Sequence, residues 1–240
     1  MTNLAYTGNW AFSSLQDYAE CPHRFRLGKI DKLPKPALPP DNPLERGNRV
    51  HDCLEHYVKG DLDTLDGCEA KAIDKFQALL DKARTQYSEG IASVEENWTF
   101  DRDWEIVERD DPGLWLWSKL DLNVRDELGL KTVVVDYKTG KSGYKAIQHL
   151  KQMQLYAAVT ALRQPWADFI HVELWYVDEG HTNSRLFTRD QALAFVGRFE
   201  REAKKIYADR FFKPNPTKET CRWCPFGAKN GTGACPVSVR

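Results

Sequence analysis

The residues of this chain best suited to chemistry are two aspartates and a lysine. Residues 132–143 read TVVVDYKTGKSG. The three valines predict a buried strand, and Asp136 and Lys138 follow with no turn residue between. Two positions apart on a strand, their side chains share one face. Asp121 ends another apolar run, SKLDLNV, and the short turn RDELG joins the two runs. Neighbouring strands of a hairpin lie about 4.8 Å apart, so both carboxylates can reach one hard cation. Anionic oxygens plus waters suit Mg2+ or Mn2+, which keep waters and accept phosphate oxygens. A lysine beside such an ion can orient or deprotonate a water, or stabilise charge growing on a phosphate. A lone D-x-K is common, and a surface salt bridge is its ordinary meaning. A second aspartate at hairpin distance weighs against that.

The elements that must position these groups follow from periodicity. VEENWTFDRDWEIV, LWLWSKLDLNV and TVVVDYK are short runs rich in Val, Trp, Phe and Thr, separated by RDDPG and RDELG. They read as a β-meander. AIQHLKQMQLYAAVTALRQ returns to helical period and stops before Pro165, and DFIHVELWYVDEG and NSRLFT read as two more strands. Upstream, PLERGNRVHDCLEHYVKG predicts a helix closed by Gly60, with Leu44, Val50, Leu54 and Tyr57 as its apolar stripe. A further helix is predicted over 66–88, and RDQALAFVGRFEREAKKIYADR predicts one long helix. Ser14, with Asp17 three residues on, marks a helix start, and the proline-rich 33–43 reads as extended. This order predicts a single α/β domain over 1–240, a mixed sheet flanked by helices.

The net charge of −1 attracts no polyanion as a whole. Two local patches do. Residues 21–35 set Arg24, Arg26, Lys29, Lys32 and Lys35 against Asp31, and residues 131–151 set Lys131, Lys138, Lys141, Lys145 and Lys151 against Asp136. The first residues lack a basic and apolar leader, and no apolar run reaches the roughly 20 residues of a membrane span. The expectation is a cytosolic protein, neither secreted nor membrane-bound, where disulfides are rare. Its six cysteines then need another explanation. Cys221-Arg-Trp-Cys224 and Cys235 make three metal ligands, and Cys21 can supply a fourth. Zinc is one reading of such a set. A redox pair is another, although no βαβ pattern flanks it. Cys53 and Cys68 read as structural. Trp98, Trp104, Trp115 and Trp117 crowd the meander. Bases stack on such rings, but Trp115 and Trp117 share a strand face, which predicts core packing.

Asp121 with Asp136-Tyr137-Lys138 resembles the D…(D/E)-x-K core of the PD-(D/E)XK nuclease superfamily, and DYKTGK is similar to its RecB-like branch. The resemblance spans about 12–236. RGNRVHDCLE at 46–55 resembles that branch's R-G-x-x-x-H helix, which implies His51 as a metal ligand beside Asp121 and Asp136. Gln152 and Tyr156 match its Q-x-x-x-Y helix motif, which implies support for lysine or substrate; at i, i+4 they share a helix face. The Tyr137 carbonyl is the ligand the family takes from that position. The split cysteine layout resembles the iron–sulfur clasp of RecB-like nucleases, a group that includes the AddB nuclease domain and CRISPR-associated RecB-like nucleases. It implies that Cys21, Cys221, Cys224 and Cys235 hold a [4Fe–4S] cluster tying segment 12–35 to segment 211–240. The ten-residue gap before Cys235 is longer than the spacing in those relatives. The resemblance therefore implies a restriction-endonuclease-like fold and a Mg2+- or Mn2+-dependent deoxyribonuclease. An exonuclease on DNA ends or single strands, in recombination, repair or replication, is the expected mode. No helicase motif is present, so any motor is a partner. A catalytically inactive DNA-binding or scaffold subunit, or a zinc-stabilised interaction protein, is the alternative.

Overall fold

The computed structural model describes residues 5–143 and 145–239. In chain order its elements are α1 (Phe12–Glu20), α2 (Pro22–Phe25), α3 (Pro43–Lys59), α4 (Gln77–Ser88), β1 (Ala92–Phe100), β2 (Leu116–Asp126), β3 (Lys131–Lys138), α5 (Ala146–Arg163), β4 (Phe169–Tyr176), β5 (His181–Thr188), α6 (Arg189–Ala194), α7 (Val196–Ala208) and α8 (Lys218–Arg222). The chain divides into two compact units, one from the described residues of Met1–Leu38 and Gly197–Arg240, the other Pro39–Val196.

The larger unit holds a five-stranded sheet in the order β1-β2-β3-β4-β5. β1, β2 and β3 pair antiparallel, as a meander must. β4 lies parallel to β3, because α5 carries the chain back across the sheet between them. β5 closes the sheet antiparallel to β4. The mixed sheet with helices is the architecture the sequence implies.

One sheet face packs on α3 and α4. Val50, Leu54, Tyr57 and Val58 of α3 and Leu80 of α4 join Leu122, Val135, Tyr137 and Trp175 in one buried cluster. α3 begins where Asn42 accepts a hydrogen bond from the Leu44 amide, with Pro43 in its first turn, and ends at Gly60 in the left-handed conformation. Glycine adopts that φ without a Cβ clash. α5 lies on the opposite face, where buried Asn123 donates to Thr132 Oγ1 at 2.8 Å and accepts from Gln164 at 2.7 Å.

The smaller unit joins the two chain ends. Phe25 stacks on Phe212 with ring centroids 6.2 Å apart, and the Tyr18 hydroxyl donates to Asp209 at 2.8 Å. That hydrogen bond, after burial, raises the tyrosine's pKa.

Three expectations change. α1 starts at Phe12 with Ala11 as an uncapped N-cap, and Ser14 is buried inside the helix. The helix expected over 66–88 is regular only from Gln77, because Gly67 takes a positive φ and residues 73–76 form a tighter helical turn. The long helix after β5 is two. A Thr188–Gln191 capping box starts α6, α7 begins at Val196, and poor helix former Gly197 follows the break. Among the described residues no helix is long and apolar enough to cross a membrane.

Leu54 is wholly buried on the helix that carries His51. Leu54→Ala should cost about 2–5 kcal/mol, read as a lower urea midpoint at unchanged slope. A change under about 1 kcal/mol would mean that α3 is not docked as described.

Candidate active site

Strand register brings three carboxylates into a row. Val94↔Leu122 and Glu96↔Leu120 bracket Glu95 and Asp121, which therefore face each other across β1 and β2. The β2–β3 ladder ends at Leu122↔Val135, so Asp121 and Asp136 are the next opposed positions. There the backbone amide of Tyr137 donates to Asp121 Oδ2 at 2.7 Å instead of to a strand carbonyl. His51 reaches in from α3, with Nδ1 3.3 Å from the same oxygen. Donor atoms of His51, Glu95 and Asp121 all lie within 4.8 Å of one another, a spacing one metal ion can bridge.

α3 delivers His51 by local design. Arg46 forms a two-pronged ion pair with Asp178 at 2.7 and 2.8 Å, which anchors the start of the helix. A Cβ on Gly47 would stand 3.3 Å from Thr139 Oγ1, so glycine lets the helix pass close to the loop after β3. His51 follows one turn later.

Lys138 and its neighbours form a closed polar ring. Lys138 Nζ lies 2.5 Å from Asp136 Oδ2 and donates to Gln152 Oε1 at 2.8 Å. Gln152 Nε2 donates to Asp136 Oδ1 at 3.1 Å and to the Tyr156 hydroxyl at 2.8 Å, and that hydroxyl donates to Asp136 Oδ1 at 2.7 Å. Asp136 and Asp121 are both buried, at 4 and 7 % exposure. Burial raises the Asp136 pKa, Lys138 opposes, and the Asp121 charge adds to the rise. For His51 burial works downward, but the hydrogen bond and charge of Asp121 outweigh it and the pKa rises. Burial and the Asp136 charge push the Tyr156 hydroxyl well up, which keeps it a donor. Tyr137 points its ring to the other face, edge-on to His51 at 5.7 Å; its backbone alone is at the site.

Glu95 escaped the sequence reading. It sits in a strand with φ +55, a backbone conformation that costs a non-glycine residue about 1–3 kcal/mol and gathers at functional sites. The available signal was the doubled acid in VEENWTF. Alternation must send one glutamate to each face. Glu96 takes the Trp98 indole N–H at 3.1 Å, and Glu95 takes the site face, paired with Lys119.

The smaller unit gathers the four cysteines. Cys21, Cys221, Cys224 and Cys235 line one pocket with Arg24 and Leu27. The ten residues before Cys235 fold back on themselves. Thr232 N–H donates to the Pro225 carbonyl at 2.9 Å and Cys235 N–H to the Phe226 carbonyl at 2.8 Å. A Cβ at Gly231 would lie 2.4 Å from the Pro225 oxygen, so this loop needs glycine there. Arg24 is not free for phosphate: it is bound at 2.8 Å by both Asp17 and Glu20. Arg26 pairs with Asp31 at 3.1 Å, so the 21–35 patch is partly neutralised. Cys53 and Cys68 pack on the core of the larger unit.

A family model described as the PD-(D/E)XK nuclease superfamily matches residues 9–228. Among solved structures, "Crystal structure of SSO0001" is similar at 14% identity and TM-score 0.48, covering 100% of this chain and 91% of that one. No curated protein matches.

Calorimetry with Mn2+ tests the ligand set. Glu95→Gln and Asp121→Asn should each weaken binding by at least about tenfold, the loss typical even of outer ligand partners. Glu96→Gln, on the other face, should leave it unchanged. Equal affinities for all three variants would remove Glu95 from the site.

Proposed function

Because the chain belongs to the PD-(D/E)XK nuclease superfamily, we propose that it is a RecB-like, divalent-metal-dependent deoxyribonuclease, working as an exonuclease on DNA ends or single strands in recombination, repair or replication. The observation that carries this is the union of Asp121, Asp136 and Lys138 at the frayed end of the β2–β3 ladder, with His51 beside them.

His51, Glu95, Asp121, Asp136 and the Tyr137 carbonyl would hold the ion. Oxygen donors with one imidazole suit Mg2+ and Mn2+. A bound ion polarises the phosphodiester and lowers the pKa of a water. Lys138 is held from two sides, by Asp136 and Gln152, which fixes its ammonium without rotamer search. From there it orients the attacking water or donates to a non-bridging oxygen. Gln152 and Tyr156 spread the Asp136 charge over fixed donors, so the lysine is shared rather than captured. Lys141 and Lys145, on the loop and cap before α5, add positive charge toward the substrate backbone.

The cysteine pocket is the proposed seat of a [4Fe–4S] cluster. Four cysteines lining one pocket are a donor set that fits a [4Fe–4S] cluster, and equally a tetrahedral zinc with thiolates about 2.3 Å from a single ion.

Cleavage of end-labelled single- and double-stranded DNA with Mg2+ or Mn2+, and with EDTA as control, tests the activity and its polarity. Lys138→Ala and Asp136→Ala should each lose about 10²–10⁴-fold in rate with an unchanged circular dichroism spectrum. Undiminished metal-dependent cleavage by both variants would overturn the assignment. Protein purified without oxygen should carry about four irons per chain. One zinc and no iron would replace the cluster with a zinc site.

A further inference from the structure

The tryptophans of the meander do not all serve the core. Trp98 and Trp115 are buried, at 2 and 4 % exposure, as core packing requires. Trp117 is only half-buried. It stands on β2 two residues before Lys119 and four before Asp121, so alternation puts all three on the active-site face. Its indole N–H donates to Asn97 Oδ1 at 2.8 Å, which fixes the ring on the sheet. Asn97 is exposed and the Lys119 side chain is half-exposed, so this end of the β1–β2 face is open to solvent.

The Arg109 guanidinium lies over the Trp117 ring, 5.0 Å from its centroid. A flat group already reaches the ring from solvent. Exposed arginine–aromatic contacts are weak, and Arg109 sits in the loop between β1 and β2. A nucleic-acid base can take its place on the ring while the guanidinium turns to the adjoining phosphate. Aromatic stacking beside a basic track is how single strands are held without sequence preference. Paired bases inside a duplex keep their faces stacked on each other and cannot make this contact.

We propose that Trp117, fixed by Asn97 and covered by Arg109, is a stacking platform for an unpaired base of the DNA strand that enters the metal site. The proposal rests on the nuclease reading for the identity of the ligand and adds the residue that would select an unpaired strand. Four steps along the strand lead from Trp117 to Asp121, about 14 Å at 3.4 Å each. With phosphates at least about 3.4 Å apart, the stacked base lies within about four nucleotides of the scissile phosphate.

Binding of fluorescein-labelled oligo(dT) of twelve nucleotides, measured by anisotropy in EDTA, tests this without any turnover. Trp117→Ala should weaken binding about 5- to 150-fold and leave affinity for a blunt duplex nearly unchanged. Trp117→Phe should keep most of the single-strand affinity. Photocrosslinking of the unaltered protein to 5-iodouracil placed along the oligonucleotide should label Trp117, and this arm decides if Trp117→Ala fails to fold. Unchanged single-strand binding by a folded Trp117→Ala, equal loss on both DNA forms, or crosslinks that avoid Trp117 would overturn the platform. Wild-type protein that binds and crosslinks at Trp117 yet cuts nothing with Mg2+ or Mn2+ supports the platform and overturns the nuclease reading instead.

Discussion

Three carboxylates side by side across three strands repel one another, and the surrounding sheet is built around that constraint. Buried negative charge is costly unless it is paired or hydrogen-bonded. Each member of the row has a different answer. Asp121 takes a backbone amide that the sheet ladder gives up. Asp136 takes a lysine, an amide and a phenol. Glu95 takes Lys119. These answers leave the site short of positive charge in its centre, which is what a divalent cation supplies.

The price of that arrangement appears as local irregularity. The β2–β3 ladder stops one pair early, and Glu95 sits in a left-handed conformation inside a strand. Glu95 and Asp121 stand directly opposite each other, a cross-strand pair of like charges that is destabilising on its own. Bending the backbone at Glu95 lets the two meet a third party. Gly47 and Arg46 play the matching part on α3, one by having no side chain and the other by clamping Asp178.

Much of this was legible in the amino-acid sequence because the site hangs on regular elements. Strand alternation put Asp136 and Lys138 on one face, helical spacing put Gln152 and Tyr156 together, and Gly60 marked the end of α3. What escaped depended on register between strands or on packing. Glu95 becomes a site residue only when β1 and β2 are aligned to the residue. The split between α6 and α7 turns on a capping box at Thr188 competing with an unbroken apolar pattern. Trp117 was read as core from its spacing with Trp115, yet only Trp115 is buried, and it precedes β2, which begins at Leu116. The first basic patch looked free because ion pairs to Asp17 and Glu20 cannot be seen in a local charge count.

The site residues His51, Glu95, Asp121, Asp136, Lys138, Gln152 and Tyr156 come from α3, three successive strands and α5, spread over some hundred positions of chain. Contacts between distant positions form late, because their loop-closure entropy must be met first. A ribosome-bound fragment ending before α5 has the carboxylates but neither the lysine's partner Gln152 nor the parallel strand beyond. During synthesis the candidate site therefore stays incomplete until α5 has emerged. The candidate site is complete only with α5 across the sheet, supplying Gln152 to Lys138, and β4 paired beside β3.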